Sequence, residues 1–218
     1  MSLFEKIAEY RIIPVLNLPE PQPAIRLAQL FLEEGLPVME ITFRNSGASQ
    51  VIRAVRERFP EMLLGAGTVR QPEQLDDALE AGVDFLVSPS LVPGVIRSWD
   101  AMRSNGAAPP PYIPGIATVR EAEEALEYGL TLLKFFPASV SGGPGMLKAI
   151  KATHPELKFI PTGGINLENL SDYLKLPNVT ACGASSVFNR SAFESGDIEA
   201  VRERIRDFLT VRGISLPE

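Results

Sequence analysis

Residues 132–137 read Leu-Leu-Lys-Phe-Phe-Pro, an apolar run of strand length with one cation, Lys134, inside it. Such runs are typical of strands that are buried in a parallel sheet. A buried ammonium loses its hydration, so the protein must either pair it with an anion or lower its pKa until it is neutral. A neutral amine in an apolar pocket is a nucleophile toward carbonyl carbon. Lys134 is therefore a candidate Schiff-base nucleophile.

A second apolar run carries the opposite charge. Residues 37–44 read Pro-Val-Met-Glu-Ile-Thr-Phe-Arg, with Glu40 inside the run. Glu40 lies five positions after Gly35, and Lys134 lies five positions after Gly129. Both glycines have the setting of a residue that ends a helix. The equal offsets predict that the two charged side chains lie at equal depth in a common framework.

Short apolar runs alternate with segments of helical period along the whole chain. The predicted strands are 11–18, 37–43, 63–69, 85–90, 111–117, 132–138, 158–163 and 179–184. The predicted helices lie near 23–34, 47–59, 72–81, 93–104, 119–128, 145–152, 168–176 and 197–210. Buried strands joined by helices indicate an α/β fold with a parallel sheet. Eight such units predict a single (β/α)8 TIM-barrel domain over residues 1–218, with an open doubly wound sheet as the alternative.

Composition narrows the classes of partner. The chain has 21 basic and 27 acidic residues, a formal charge of −6, and no basic cluster, so we expect no nucleic acid or membrane partner. The only cysteine, Cys182, cannot form an internal disulfide, and no apolar run approaches the roughly 20 residues of a membrane span. We expect a cytoplasmic protein that acts on a small-molecule substrate.

The barrel prediction brings the two charged residues together. Glu40 lies on the second predicted strand and Lys134 on the sixth, which face each other across an eight-stranded barrel. Lys134 then supplies a nucleophile, and Glu40 can move protons at the same bound molecule. The alternative is a buried ion pair without chemistry, since such pairs also occur as structural features.

Other candidates follow the same strands. Arg44 can bind a carboxylate, or it can be a solvated loop residue. Thr68 offers a hydroxyl after Gly65-Ala66-Gly67, whose glycines let backbone approach a ligand. Loops after the last two strands of such barrels often bind phosphate. Here they read Pro161-Thr162-Gly163-Gly164-Ile165 and Cys182-Gly183-Ala184-Ser185-Ser186, although glycine pairs also form ordinary turns.

Catalysis through histidine is disfavoured. The only histidine, His154, precedes Pro155 in a loop at the predicted opposite face, which argues against Ser-His or Cys-His catalysis and against a histidine-rich metal site. We therefore expect no metal site.

The ordered set of motifs resembles one family, the class I aldolases of 2-keto-3-deoxy-6-phosphogluconate (KDPG) and 4-hydroxy-2-oxoglutarate (KHG), which have an (α/β)8 barrel. The resemblance extends from about Ile12 to Phe208. It rests on Glu40-Ile41-Thr42-Phe43-Arg44, Gly65-Ala66-Gly67-Thr68-Val69, Ser88-Pro89, Pro114-Gly115, Lys134-Phe135-Phe136-Pro137-Ala138 and Pro161-Thr162-Gly163-Gly164-Ile165.

The resemblance implies a role for each matching residue. Lys134 matches the Schiff-base lysine and Glu40 the general acid/base. The remaining matches are Arg44 and Thr68 for the pyruvate carboxylate, Pro89 and Phe136 for the pocket wall, Thr162 for a substrate hydroxyl, and Gly163, Gly164 and Ser185 for phosphate. It further implies cleavage of KDPG to pyruvate and glyceraldehyde 3-phosphate in the Entner-Doudoroff pathway, no cofactor, and a homotrimer.

Several positions depart from the family pattern and leave the preferred substrate open. Ala184 and Ser186 flank Ser185 where many relatives have Gly-Ser-Trp, Ser139 stands where Glu is common, and Ser90 stands where Gly is common. KHG or the C4-epimeric phosphosugar acid is therefore an alternative substrate. Outside the aldolases, the rivals are a phosphosugar isomerase or epimerase that uses Lys134 and Glu40 without a covalent bond, and a non-catalytic phosphosugar-binding barrel.

Overall fold

The computed structural model describes residues 3–213. Its strands are β1 (Ile12–Leu16), β2 (Val38–Thr42), β3 (Leu63–Gly67), β4 (Phe85–Val87), β5 (Tyr112–Ile113), β6 (Gly115–Ile116), β7 (Leu132–Phe135), β8 (Lys158–Pro161) and β9 (Cys182–Ala184). Its α-helices are α1 (Leu3–Tyr10), α2 (Pro21–Glu33), α3 (Ala48–Arg58), α4 (Pro72–Glu80), α5 (Pro93–Ser104), α6 (Val119–Glu127), α7 (Gly143–Thr153), α8 (Leu170–Leu174), α9 (Arg190–Ser195) and α10 (Ile198–Arg212).

The strands form a curled, parallel α/β arrangement. Six strands pair in the order β5-β4-β3-β2-β1-β9, and three more pair in the order β6-β7-β8. Every strand pairing is parallel. Side chains of β2 in the first sheet and β7 in the second contact each other, so the two sheets curl toward a common interior. Two isolated bridges, Phe159 with Val179 and Thr162 with Gly183, connect β8 to the segment around β9.

The fifth predicted strand, 111–117, is wrong as a single element. It is divided into β5 and β6 on either side of Pro114. Proline has no N–H to donate to a neighbouring strand, so the pairing is interrupted there. β5 therefore pairs with β4, whereas β6 pairs with β7.

Two α-helices were not predicted from the sequence, α1 and α9. α1 has eight residues and buries Ile7 alone, and α9 has six residues and buries only Ala192. One or two buried positions give too short an apolar stripe to reveal helical period. The helix predicted at 168–176 is also shorter than expected, since α8 spans Leu170–Leu174.

The longer helices cover the sheet with apolar stripes, as the periodicity predicted. α2 buries Ala24, Leu27, Ala28 and Phe31, which share one face of the helix. The glycines that follow α2 and α6 have the left-handed backbone of a helix end, with φ of +73° at Gly35 and +71° at Gly129. Gly35 and Gly129, from which the positions of Glu40 and Lys134 were counted, are therefore equivalent helix ends.

No helix within residues 3–213 is both long and apolar enough to cross a membrane.

Candidate active site

The two charged residues predicted to meet do meet. Lys134 Nζ lies 3.2 Å from Glu40 Oε1. Only 5% of Lys134 and 3% of Glu40 is exposed, so neither side chain has more than slight access to water. The ammonium also lies 5.3 Å from the centre of the Phe136 ring, a distance at which the ring face attracts a cation. Of the two ways to accommodate a buried ammonium, this fold uses pairing with an anion.

The glycines of β3 make room for side chains. A Cβ on Gly67 would stand 2.1 Å from Glu40 Oε1, and one on Gly65 would stand 2.2 Å from the Phe85 ring. These two glycines therefore have a packing role, and the expected approach of their backbone to a ligand stays a prediction. Gly67 is the residue that leaves space for the Glu40 carboxylate.

A cavity of about 380 Å³ opens at the carboxyl ends of β1, β2, β7, β8 and β9. Its wall contains six of the ten predicted site residues: Arg44, Phe136, Thr162, Gly163, Gly164 and Ser185. Parallel α/β folds bind ligands at this edge, because the loops that follow the strands converge there. A larger groove of about 620 Å³ lies elsewhere, beside Trp99 and Leu132. Lys134 and Glu40 line neither the groove nor the smaller cavity, but Phe136, which lies over Lys134, belongs to the wall of the smaller cavity.

Thr68 and Pro89 follow β3 and β4 and lie outside the wall of this cavity. Thr68 is half-buried and has a φ of +59°, a left-handed conformation that is strained for a β-branched residue. Strain of this kind persists only where the surrounding structure imposes it, and it is concentrated at functional sites. The backbone carbonyl of Pro89 lies close to Gly115. A Cβ on Gly115 would stand 2.2 Å from the Pro89 carbonyl oxygen.

The predicted phosphate loop has a conformation that requires glycine. Gly163 and Gly164 have φ values of +95° and +79°. A Cβ on Gly164 would stand 2.1 Å from Ser139 Oγ, so Ser139, one of the departures from the family pattern, packs directly against this loop. Ser186, another departure, donates from Oγ to the carbonyl of Ile165 at 2.8 Å. Both serines thus support the loop after β8.

Thr162 is buried beside the opposite wall. A Cβ on Gly183 would stand 2.3 Å from Thr162 Oγ1, so the absence of a side chain on β9 leaves room for the hydroxyl. That hydroxyl donates to the carbonyl of Ile160 at 3.3 Å. Ser185, directly after β9, is exposed at the cavity wall.

Sequence reasoning assigned no role to three polar residues of the cavity wall, Asn17, Thr42 and Arg190. Arg190 Nη2 donates to the backbone carbonyl of Asn17 at 3.1 Å, and Asn45 Nδ2 donates to Asn17 Oδ1 at 2.7 Å. Asn17 directly follows β1, so its position at the end of a strand was a usable signal. Arg190 begins α9, which gave no sequence signal of its own.

The histidine prediction agrees with the geometry. His154 lies at the end of α7, before β8, and its Nε2 is 3.7 Å from Glu123 Oε1. It therefore lies toward the amino end of β8, opposite the cavity. No group of three or more His, Cys, Asp or Glu side chains in residues 3–213 is arranged to hold a metal ion.

Comparison with known proteins places this geometry in a family. The chain matches the family described as KDPG and KHG aldolase over residues 3–204. It is 38% identical to a 2-dehydro-3-deoxy-phosphogluconate aldolase of Treponema pallidum, covering 98% of this chain and 99% of that protein. It is 36% identical to the KHG/KDPG aldolase of Escherichia coli K12, covering 90% and 89%.

A solved structure extends the comparison to three dimensions. The KDPG aldolase from Legionella pneumophila, described with pyruvate captured at low pH as a covalent carbinolamine intermediate, superposes with a TM-score of 0.86. It is 34% identical and covers 99% of this chain and 98% of its own. The chain belongs to the KDPG and KHG aldolase family, whose members are lyases acting on carbon–carbon bonds.

Proposed function

We propose that this protein is a class I aldolase that reversibly cleaves KDPG to pyruvate and glyceraldehyde 3-phosphate. The observation that carries the proposal is the buried contact of 3.2 Å between Lys134 Nζ and Glu40 Oε1, with Phe136 shared between that pair and the cavity wall. A buried lysine next to a proton acceptor is what imine formation requires. The names of the relatives supply the class of substrate.

The reaction begins with a proton transfer. Lys134 Nζ gives a proton to Glu40, and the neutral amine adds to the C2 keto carbon of the substrate. Glu40 returns its proton to the departing C2 hydroxyl group, which leaves as water, and a protonated imine remains that withdraws electrons from the neighbouring carbons. Glu40, directly or through a water, then takes the proton of the C4 hydroxyl as the C3–C4 bond breaks. The bonding electrons form an enamine on Lys134, which is protonated at C3 and hydrolysed to release pyruvate.

The other site residues position the substrate. Arg44 presents a guanidinium fork that suits the pyruvate carboxylate, and Thr68 lies at the end of the neighbouring strand. Phe136 shields the imine from water. The complete proposed set adds Pro89 to the pocket wall, Thr162 at the substrate hydroxyl, and Gly163, Gly164 and Ser185 at the phosphate.

We also infer a closed (β/α)8 barrel in one domain over residues 1–218. A single residue separates β5, which pairs with β4, from β6, which pairs with β7, and the two bridges between β8 and the segment around β9 support closure. Family likeness supports a homotrimer and the Entner-Doudoroff pathway. The single, buried Cys182 supports a cytoplasmic location. Analytical ultracentrifugation tests the trimer, which a monomeric mass would exclude.

A coupled assay tests the function. Pyruvate release is followed with lactate dehydrogenase and NADH for KDPG, its C4 epimer and KHG, with Lys134→Met as the inactive control. We expect the highest kcat/KM with KDPG and no release by the variant. A higher kcat/KM with KHG or with the epimer would show that this compound, and not KDPG, is the preferred substrate. A rearranged phosphosugar without pyruvate would instead favour the isomerase.

A further inference from the structure

The cavity has a second cation, Arg190, for which the proposed catalytic cycle has no use. Arg190 follows Ser185 by five positions and lines the same cavity. Its Nη2 donates to the carbonyl of Asn17 at 3.1 Å, and its Nη1 lies 3.4 Å from Glu194 Oε1. Arginine has five N–H donors, so these contacts leave other donors free for a ligand. The guanidinium is anchored beside the end of β1 and is still accessible, with 55% of the side chain exposed.

Asn17 adds an oriented amide at the same place. Its Oδ1 accepts a hydrogen bond of 2.7 Å from Asn45 Nδ2. This bond fixes which end of the amide faces Asn45, and it turns Asn17 Nδ2 the other way as a donor. Asn17 itself lines the cavity. Because Arg190 contacts the backbone carbonyl of Asn17, the guanidinium and this residue lie together in the cavity wall.

The charge of the cavity wall differs from that of the whole protein. The wall contains two cations, Arg44 and Arg190, and no Asp or Glu among the described residues that form it, whereas the chain carries a formal charge of −6. A cleft lined by one sign of charge concentrates ligands of the opposite sign. Arg44 follows β2, whereas Arg190 comes from beyond β9 and contacts the carbonyl of Asn17 at the end of β1, so the wall suits an anionic ligand.

We propose that Arg190, assisted by the side-chain amide of Asn17, is a specificity-determining contact for the phosphate at the far end of the substrate. This inference rests on the proposed function and deepens it, because it gives the phosphate a charged partner in addition to the Gly163-Gly164 loop and Ser185. Arg190 follows Ser185 by five positions and lines the same cavity, whereas Arg44 follows the strand of Glu40. Phosphate binding exchanges the weak contact with Glu194 for charge-assisted bonds to a dianion.

The test compares two arginine variants that change the net charge equally. Arg190→Gln removes the proposed contact, and Arg97→Gln, on the exposed face of α5 and outside the cavity wall, is the matched control. Pyruvate release is measured with KDPG and with the same keto acid lacking phosphate. We expect Arg190→Gln to raise KM for KDPG by about tenfold or more, the usual effect of losing a bond to a charged group.

The pattern across substrates decides the outcome. We expect kcat with KDPG, and KM for the unphosphorylated acid, to stay close to the parent values in Arg190→Gln. Arg97→Gln should match the parent throughout, and Arg190→Lys should recover part of the lost affinity because it restores the charge. Equal losses on both substrates, or the same loss in Arg97→Gln, would overturn the assignment.

A binding experiment separates this inference from the proposed reaction. Titration calorimetry with inorganic phosphate should show weaker binding to Arg190→Gln than to the parent and to Arg97→Gln. Absence of pyruvate release by the parent would remove the proposed function while leaving this measurement intact. Equal phosphate affinity of the parent and Arg190→Gln would contradict the role of Arg190 even in an active aldolase.

Discussion

Lys134 Nζ and Glu40 Oε1 lie 3.2 Å apart, although 94 positions separate the two residues in the chain. Each side chain projects from a strand whose residues are all buried, and each strand begins shortly after a glycine that ends a helix. Burying two charges costs desolvation free energy that their attraction only partly offsets. A pair of this kind, next to a cavity at the carboxyl ends of the strands, is better explained by chemistry than by stability.

Replacing Glu40 by Gln should separate imine formation from proton transfer. The amide keeps the size of the side chain but cannot accept the C4 hydroxyl proton, so we expect kcat for KDPG cleavage to fall by about 10²–10⁴-fold. Trapping of pyruvate on Lys134 should persist at a reduced rate. Steady-state kinetics and trapping measured on one preparation check both parts. Turnover within a few-fold of the parent would mean that another group moves the proton.

Adding a methyl group at Gly67 should displace the Glu40 carboxylate without removing it. The new Cβ would stand 2.1 Å from Glu40 Oε1, so Gly67→Ala should lower kcat while circular dichroism shows the same fold. We expect a loss of stability of about 1–3 kcal/mol from the added volume. Gly145→Ala is the matched control, because nothing lies within 4 Å of its new Cβ. It should leave kcat unchanged, and full activity of Gly67→Ala would refute the packing role.

A pH effect on stability is expected at a second cluster of charges. Arg206 and Arg202 of α10 donate to Glu34, at the end of α2, at 2.8 Å each. The hydrogen bond from Arg206 is the main cause that lowers the pKa of Glu34 in the folded protein. A carboxyl group with a lowered folded pKa stabilises the protein above its unfolded pKa, and this stabilisation is lost as the pH falls through the folded pKa.

Glu34→Gln should therefore destabilise the protein at pH 7 and lose its effect in acid. Because half of the Arg206 side chain is exposed, solvent screens its bond to Glu34, and we expect a cost of about 1 kcal/mol at pH 7. Urea unfolding at pH 7 and near pH 3 measures it, with the exposed Glu61→Gln as control. A difference between Glu34→Gln and the parent that is equally large at both pH values would show that the cluster does not act through the charge of Glu34.

Local patterns were sufficient to predict the parallel fold and the buried contact between Lys134 and Glu40. The depth of Glu40 and of Lys134 could be counted from Gly35 and Gly129, because a helix end and the following strand are set by nearby residues. The contact between the two side chains across the interior was then predicted because the second and sixth strands of an eight-stranded barrel face each other. The Gly163-Gly164 loop was found as a loop at the carboxyl end of a strand, whereas the expected roles of Phe136 and Thr162 came from the family resemblance.

Features that depend on distant neighbours could not be predicted. Position 67 requires glycine because a larger side chain would overlap the carboxylate of Glu40, which belongs to another strand. Ser139 and Ser186 looked like departures that affect the substrate, yet both contact the loop after β8. Arg190 reaches the cavity from α9, a helix too short to show a periodic pattern. In each case the reason lies in a contact between elements far apart in the chain.

Reductive trapping tests the central claim most directly. The protein is incubated with pyruvate and borohydride, digested, and mapped by mass spectrometry, with Lys134→Met treated in parallel. Borohydride reduces an imine to a stable secondary amine, so we predict loss of activity and one pyruvate-derived adduct, on Lys134, that is absent from the variant. An adduct on Lys148, Lys151 or Lys158 in place of Lys134, or full activity after treatment, would contradict the account.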